Sequence, residues 1–268
     1  MIPIVLKTAF LLQDIFVLPY ALQAIRKLRA TDDVTAQLIA DSIRDAFGGS
    51  PSEQEAIFIT QIEERRALMN SSNEVLEITD FGAGAQSPNG SIAQRTLGEV
   101  SLSSSKPKRW CLLLFYLIER LMPQRCLEFG TCVGISTLYQ SAALTLNGQG
   151  TIITMEGSQT LAAIAQQNFQ KMHCSNIISV VGPFQKVLPS VVEQYQPFDL
   201  VFIDGHHEGT ATLNYFEYLL PSLSRNAIVV FDDIHWSASM KNAWKSIVHH
   251  TRVKHAVDLY QLGIVIVS

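Results

Sequence analysis

Residues 126–137 read CLEFGTCVGIST, a pattern typical of a buried strand that ends near an acid, a glycine turn and the start of a helix. Gly130 allows the chain to reverse where a Cβ would clash, and Gly134 lets the backbone approach a ligand closely. Ser136 and Thr137 are suited to cap the helix and to leave amide donors facing the turn. No Lys-Ser or Lys-Thr pair follows, so the turn is not a phosphate-binding P-loop.

A second glycine turn occurs earlier, in ITDFGAG at residues 78–84, and the two turns differ in the segments that come after them. After the later turn come a helical run, an apolar strand over residues 151–155 and then Glu156. This acid lies roughly 20 residues beyond the turn, where a dinucleotide-type site holds a ribose hydroxyl. A polar loop comes after the earlier turn instead. The sequence therefore predicts the cofactor site at the Glu128 turn and a loop beside it at Asp80.

The composition of the 268-residue chain fits one packed α/β domain with an additional segment, since 47% of the residues are hydrophobic and 16% are charged. A net charge of −4 argues against a nucleic-acid partner, because phosphate binding needs clustered Lys and Arg. The basic run KPKR at residues 106–109 is interpreted as a solvated helix start. Four cysteines without metal-ligand spacing predict free thiols in a reducing cytoplasm.

Residues 1–28 are apolar, but Lys7, Asp14 and Pro19 interrupt them. No stretch approaches the roughly 18 to 20 uninterrupted apolar residues that span a bilayer, and the basic start and cleavage site of a signal peptide are lacking. We therefore expect no membrane partner and a cytoplasmic location. The N-terminus is expected to pack against the body or against a second subunit, which makes a homodimer plausible.

The patterning divides the chain into two regions. Residues 1–107 predict a helical extension or lid, with helices over 35–47 and about 50–69, and a loop rich in Ser, Gly and Asn over 70–105. Beyond it, five apolar strands alternate with helices, which indicates a parallel sheet covered on both faces. Residues 253–267 have room only for a tight turn between two strands, and so predict an antiparallel C-terminal hairpin.

The E-x-G-x-x-x-G-x-S-T pattern that starts at Glu128 resembles the first motif of class I S-adenosylmethionine-dependent methyltransferases. More narrowly, it is similar to the catechol and caffeoyl-CoA O-methyltransferase type. Bacterial small-molecule relatives of that type also resemble the chain in DFGAG at residues 80–84 and FDDIHWS at 231–237. The resemblance to the methyltransferase fold, in its strand–helix units and C-terminal hairpin, covers about residues 108–268. It implies a Rossmann-like α/β fold with a seven-stranded, mostly parallel sheet, S-adenosyl-L-methionine as cofactor and a small-molecule acceptor.

Ligands of such sheets sit beyond the carboxyl ends of the strands, so each strand end supplies candidate site residues. The Glu156 carboxylate can accept two hydrogen bonds from ribose hydroxyls; the alternative is a surface acid at a helix start. Phe184 either flanks an adenine ring or belongs to the core, and Glu128 would help to place the amino-acid end of the cofactor. The expected cofactor-binding residues are Glu128, Gly130, Thr131, Gly134, Ser136, Glu156, Gly182, Phe184 and Asp204.

Three acids come directly after two strands that are expected to be adjacent: Asp204, Asp232 and Asp233. Like charges this close disfavour ionisation unless a cation joins them, and carboxylate oxygens with waters suit Mg²⁺ or another divalent cation. The three positions match the metal ligands of the catechol-type enzymes, in which the last is commonly Asn, so the coordination stays open. Alternatively, Asp232 or Asp233 caps the next helix, in competition with Ser237.

His207 lies three residues after Asp204, where the catechol-type enzymes have a Lys that takes the acceptor's proton. Imidazole can do this near neutral pH because its unperturbed pKa is about 6.5. The sequence thus predicts His207 and Asp204 as catalytic residues. His206 would point elsewhere, and His235 is a second candidate for the base.

These features favour a metal-assisted O-methyltransferase that acts on a small hydroxylated molecule. Two alternatives stay open: a metal-independent enzyme with a His base and an N or O acceptor, and a non-catalytic protein that binds S-adenosylmethionine. A nicotinamide oxidoreductase fits less well because the G-x-G-x-x-G form is absent. The N/D-P-P-Y/F motif of nucleic-acid methyltransferases is also absent after the fourth strand of the α/β region.

Overall fold

The computed structural model describes residues 4–81 and 90–268, with side chains from residue 16 onward, so Gly82 and Gly84 of the earlier glycine turn lie outside the described residues. The helices are α1 (Ile4–Arg29), α2 (Val34–Gly48), α3 (Glu53–Asn70), α4 (Leu97–Ser104), α5 (Lys108–Leu121), α6 (Ile135–Leu146), α7 (Gln159–Lys171), α8 (Phe184–Tyr195), α9 (Gly209–Leu219) and α10 (Ala238–Val248). The strands are β1 (Val75–Asp80), β2 (Ser91–Thr96), β3 (Arg125–Phe129), β4 (Thr151–Glu156), β5 (Ile177–Val181), β6 (Phe198–Ile203), β7 (Leu223–Phe231), β8 (Val253–Asp258) and β9 (Gly263–Val267).

Strands β3 to β9 form one sheet in the order β5-β4-β3-β6-β7-β9-β8. Strand β9 runs antiparallel to both of its neighbours, and the other pairs are parallel. The predicted seven-stranded, mostly parallel sheet with an antiparallel C-terminal hairpin is therefore confirmed. The chain passes from β3 to β4 on one side and later returns to β6 on the other. A crevice for ligands opens at such a reversal of strand order, above the carboxyl ends of β3 and β6.

Side chains alternate along the strands and so divide the core into two layers. Cys126 of β3 faces the layer that contains α5 and α6, whereas Leu127 faces the layer that contains α8 and α9. Glu128 lies two residues after Cys126 and therefore points towards α6. This register decides the role of Glu128, because its side chain lies under a helix and not above the end of the strand.

The N-terminal helices share the α5–α6 layer. Ile39 and Ile43 of α2 belong to the same cluster of buried residues as Leu113 and Leu117 of α5, and the two helices are in contact. The domain boundary at residue 107 stays a prediction, since the regions on either side of it have a common core. Among the described residues, no helix combines the length and apolar character needed to cross a bilayer.

The prediction of a loop over residues 70–105 is wrong for much of that segment. Strands β1 and β2 pair as an antiparallel hairpin, and α4 comes directly after β2 with Thr96 and Glu99 in a capping box. The composition is polar because one face of the hairpin is exposed, while Leu76 and Ile78 are buried on the other. Strand β1 packs on α7 and ends at the edge of the sheet where β3 and β4 end.

Candidate active site

A cavity of about 480 Å³ opens above the carboxyl ends of β3, β4, β6 and β7. Its base is formed by the turns after these strands, and its outer wall by the β1–β2 hairpin, α4 and the residues just after α4. The prediction that Asp80 lies beside the site is confirmed, although Asp80 ends a strand and does not lie in a loop. The cavity therefore combines strand ends of the sheet with walls from the N-terminal region.

The predicted site residues divide between the cavity and the core. Those that line the cavity are Gly130, Glu156, Phe184, Asp204, His207, Asp232 and Asp233. Those that do not are Glu128, Thr131, Gly134, Ser136 and Gly182. In the second set, the side chains of Glu128, Thr131 and Ser136 form hydrogen bonds with buried neighbours, and Gly134 and Gly182 have no side chain.

Gly130 brings the turn after β3 against the end of β6. Its φ is +88°, and an added Cβ would lie 2.0 Å from the backbone oxygen of Asp204. The need for glycine at this reversal, predicted from the sequence, is confirmed. Gly134 also has a positive φ, but its missing Cβ makes room for the Phe169 ring of α7, so it serves packing and not the approach of a ligand.

Glu128 is completely buried beneath the turn and accepts hydrogen bonds from four side chains. Ser136 and Gln140 donate to Oε1, both at 2.7 Å, and Thr154 donates to Oε2 at 2.7 Å, where Thr137 also donates. Burial raises the pKa of Glu128 although these four donors favour the charged form. The structure gives no support to a contact between Glu128 and the cofactor. The predicted capping by Ser136 and Thr137 is wrong because Glu128 accepts both hydroxyls.

Glu156 presents its carboxylate to the cavity at the end of β4. The backbone N–H of Cys132 donates to Oε2 at 2.7 Å, and that of Ser158 donates to Oε1 at 2.8 Å. Burial raises the pKa of Glu156 against the effect of these amide donors. Each oxygen keeps a lone pair for another donor, so the arrangement can accept two hydroxyl groups of a bound ligand.

Phe184 lies between the two alternatives that the sequence left open, and its contact with an adenine ring stays a prediction. It lines the cavity, and its ring also packs edge-on against buried Phe129 at a centroid distance of 5.4 Å. Two further aromatic residues at the cavity were not predicted as site residues. The ring of Phe81 lies where a Cβ of Gly157 would come within 2.5 Å of it, and Trp236 lines the cavity while 70% exposed.

The predicted acids and His207 come together at the ends of β6 and β7. The His207 ring lies between two of them, with Nε2 3.9 Å from Asp204 Oδ1 and Nδ1 3.4 Å from Asp233 Oδ2. Asp204, His207 and Asp232 each direct a potential metal-ligand atom within 4.8 Å of the others. His207 and Asp233 have φ values of 44° and 51°, a conformation that is uncommon for residues other than glycine and that often occurs at functional sites.

Lys106 is the member of this cluster that sequence reasoning missed. Its side chain is only 12% exposed, and its Nζ forms ion pairs with Asp232 and, at 3.4 Å, with Asp204 Oδ2. The interpretation of residues 106–109 as a solvated helix start is therefore wrong for Lys106. A short connection joins α5 to β3, so the first turn of α5 lies at the edge where β3 ends. A lysine just before the helix that precedes the glycine-turn strand is the pattern that could have indicated this position.

The charges in the cluster influence one another strongly. Burial alone would lower the pKa of Lys106, but the carboxylates of Asp204, Asp232 and Asp233 outweigh it and raise that pKa. Burial and the charge of Asp232 raise the pKa of Asp204 well above its usual value. Asp232 is buried as well, but Lys106 and a hydrogen bond from Asp204 bring its pKa below the usual value. The Lys106 ammonium thus favours the charged form of Asp232, while the pKa of Asp204 beside it stays raised.

Two further histidines were considered in the sequence analysis. His206 was expected to point elsewhere, but it lines the cavity, with Nδ1 3.1 Å from the Tyr215 hydroxyl and Nε2 3.2 Å from the Gln185 amide. His235 pairs with Asp258 at 2.7 Å and does not line the cavity. His235 is therefore wrong as a second candidate for the base.

A divalent cation does not fit this cluster as it stands. A metal ion held by Asp204 and Asp232 would need the carboxylate oxygens that Lys106 contacts, and its charge would repel the ammonium at the same place. The predicted Mg²⁺ site is therefore available only if the Lys106 side chain moves away. Metal binding stays a prediction that the fold alone does not test.

Comparison with known proteins agrees with the geometry. Residues 127–234 match the family described as a methyltransferase domain. The chain is 29% identical over 146 residues to a catechol O-methyltransferase of Niastella koreensis, covering 54% of this chain and 62% of the relative. It is also 29% identical over 161 residues to the O-methyltransferase hkm8 of Aspergillus hancockii, covering 58% of this chain and 61% of the relative.

The fold extends further than these matches. The O-methyltransferase from Bacillus cereus, solved in complex with SAH, superposes with a TM-score of 0.57 at 16% identity, covering 87% of this chain and 100% of that one. The chain spans just over 60% of the length of the two curated relatives. Residues 127–234 match a methyltransferase family within a fold that solved O-methyltransferases share. The chain thus resembles O-methyltransferases in sequence over residues 127–234 and in fold, in agreement with the resemblance of the Glu128 motif.

Proposed function

We propose that this chain is an S-adenosylmethionine-dependent enzyme that methylates a hydroxyl oxygen of a small molecule. The observation that supports it most directly is that Glu156 and His207 line the same cavity above the reversal of strand order. The first residue suits a nucleoside sugar and the second suits a proton acceptor. A protein that only bound the cofactor would have no need of the second.

The residues at the β3–β4 side of the cavity fit the cofactor. Gly130 lets the turn pack directly against the end of β6 and also lines the cavity, so its backbone borders the space proposed for the cofactor. The Glu156 carboxylate is fixed by two amide donors and would accept the ribose hydroxyls. Phe81 and Phe184 provide apolar surface for the base of the nucleoside. The bound cofactor supplies a methyl group activated by the positive sulfonium.

The residues at the β6–β7 side would receive the acceptor. The acceptor oxygen forms the new C–O bond as the C–S bond of the cofactor breaks, and its hydroxyl proton passes to a ring nitrogen of His207. Asp204 and Asp233 lie on either side of the ring and would hold the imidazole in place. The protein thus contributes orientation and electrostatic stabilisation to a reaction whose driving force lies in the cofactor.

Calorimetric titration with S-adenosylmethionine and S-adenosylhomocysteine tests the cofactor part of the proposal. We expect one binding site per chain. Absence of binding heat at millimolar ligand, with the protein folded by circular dichroism, would contradict it. Incubation of the protein with S-adenosylmethionine and a panel of hydroxylated and aminated metabolites, monitored by mass spectrometry, then tests the acceptor class. Methylation confined to amines would favour an N-methyltransferase, and binding without turnover across the panel would favour a non-catalytic role.

A further inference from the structure

The position of Lys106 indicates how the acidic cluster is neutralised. Its ammonium is paired with Asp232, whose side chain is 2% exposed, and lies 3.4 Å from Asp204 Oδ2. The two carboxylates belong to the ends of neighbouring parallel strands, β6 and β7. Lys106 comes from a different part of the chain, just before α5, and reaches between them. It therefore occupies the place where a cation shared by these two carboxylates would lie.

The backbone of Lys106 is held firmly on the side away from the cavity. Its carbonyl oxygen accepts a hydrogen bond from Arg66 Nη1 at 2.9 Å and from Cys111 Sγ at 3.3 Å. Arg66 is itself paired with Glu63 at 3.0 Å, and the Tyr139 hydroxyl donates to the same carboxylate at 2.8 Å. Helices α3, α5 and α6 thus fix the point from which the lysine side chain extends, and its ammonium is directed at the acids before any ligand binds.

The ammonium also has room to interact with a ligand. Lys106 lines the cavity together with Asp204, His207 and Asp232, beside the space proposed for the acceptor, and its Nζ carries three N–H groups. Two of these groups suffice for the carboxylates. A third can donate to an acceptor oxygen and stabilise the negative charge that develops as the proton leaves.

We infer that Lys106 takes the place of a divalent cation in this site, so that the acidic cluster binds no metal ion and the acceptor oxygen is oriented by the lysine ammonium. The part of the inference that concerns metal binding does not depend on the proposed reaction. The statement about the acceptor rests on the proposed methyl transfer, in which the acceptor proton passes to His207 and the methyl group passes from sulfur to oxygen.

Binding of Mn²⁺, measured by electron paramagnetic resonance and calorimetry, tests the inference without any acceptor. We compare the wild type, Lys106→Met, Lys106→Arg and Lys108→Met. Lys106→Met removes the charge but keeps a side chain of similar length, and Lys108 is an exposed lysine two residues away that serves as the matched control. Lys106→Met should bind one Mn²⁺, with an affinity at least about tenfold above any nonspecific binding by the other three proteins, which should have no Mn²⁺ site. The additional substitution Asp232→Asn should abolish that gain.

Either of two results would overturn the inference. One is a wild-type protein that binds one Mn²⁺ tightly and loses it on Asp232→Asn. The other is a folded Lys106→Met protein that binds no Mn²⁺. If Lys106→Met does not fold, the wild type and Lys106→Arg decide, because both must leave Mn²⁺ unbound. S-adenosylmethionine binding is measured on every folded protein, so a failure of the proposed function appears as lost cofactor binding and stays distinct from the metal result.

Discussion

The backbone N–H of Cys132 donates a 2.7 Å hydrogen bond to the carboxylate of Glu156, and so connects the turn after β3 to the end of β4. The carboxylate is oriented by the same turn that carries Gly130, and it faces the cavity. A ligand that binds Glu156 through hydroxyl groups is therefore placed against the glycine turn at the same time. The sequence connects the glycine turn and Glu156 only by their spacing, whereas in the structure a hydrogen bond connects them.

Glu156→Gln tests the proposed sugar contact. One carboxylate oxygen becomes an amide NH₂, which cannot accept a hydrogen bond from Cys132, Ser158 or a ribose hydroxyl. Because hydrogen bonds to a charged group contribute about 1.5–3 kcal/mol each, we expect the affinity for S-adenosylmethionine to fall by about tenfold or more. Calorimetry measures this, with Glu193→Gln on the exposed side of α8 as control. Equal affinities of the two variants would mean that Glu156 does not hold the cofactor.

Gly130→Ala tests the role of the turn, with Gly148→Ala as a matched control. Both glycines have positive φ, +88° and +68°, but a Cβ at Gly148 meets nothing within 4 Å, whereas one at Gly130 would lie 2.0 Å from a backbone oxygen. We expect Gly148→Ala to lower the free energy of unfolding by about 1–2 kcal/mol, the strain of a left-handed alanine. Gly130→Ala should destabilise the protein further and abolish cofactor binding. Urea denaturation and calorimetry provide the two readouts, and similar destabilisation by both variants would contradict the steric argument.

The sheet could be predicted because its strands are short apolar runs that alternate with helices. Residues such as Ile152 and Val229 are fully buried, so their hydrophobicity marks the strands in the sequence. The β1–β2 hairpin was missed for the opposite reason. Its strands are exposed on one face, and their polar residues resemble a loop when the partner that covers the other face is not known.

Site residues could be predicted from the sequence only where they come directly after the end of a strand. Asp204 and Asp232 come directly after their strands, and the parallel sheet brings them together. Lys106 could not be placed in this way, because its position depends on where α5 begins relative to the sheet. Glu128 was misplaced because the side of β3 that it faces depends on which layer covers it, and both layers are apolar.

His207→Asn tests the proposed base. Asparagine tolerates the positive φ of 44° at this position, so the variant should fold, yet it cannot take the acceptor's proton. We expect kcat to fall by about 10²–10⁴-fold, the usual contribution of general base catalysis, while the affinity for S-adenosylmethionine stays unchanged. His249→Asn, at an exposed histidine of the region after α10, is the control. Retention of full turnover in His207→Asn would assign the proton to another group.

Glu128→Gln separates a structural role from a role in cofactor binding. Four side-chain donors converge on the carboxylate, and glutamine puts an NH₂ group in place of one of its oxygens, so the hydroxyls at that oxygen must turn to accept. Hydrogen bonds to a charged group contribute about 1.5–3 kcal/mol against about 0.5–1.5 kcal/mol for neutral ones, so the free energy of unfolding in urea should fall by about 1–3 kcal/mol. Glu193→Gln again provides the control.

The affinity of folded Glu128→Gln for S-adenosylmethionine decides between the structural role and the role in cofactor binding. Glu128 does not line the cavity, so we expect this affinity to equal that of the wild type when both are measured well below the onset of unfolding. A variant of unchanged stability that loses the cofactor would instead mean that Glu128 contacts the ligand directly, as the sequence motif predicts. Since Ser136 and Thr137 both donate to Glu128, Ser136→Ala should lower stability in the same direction and leave cofactor affinity unchanged as well.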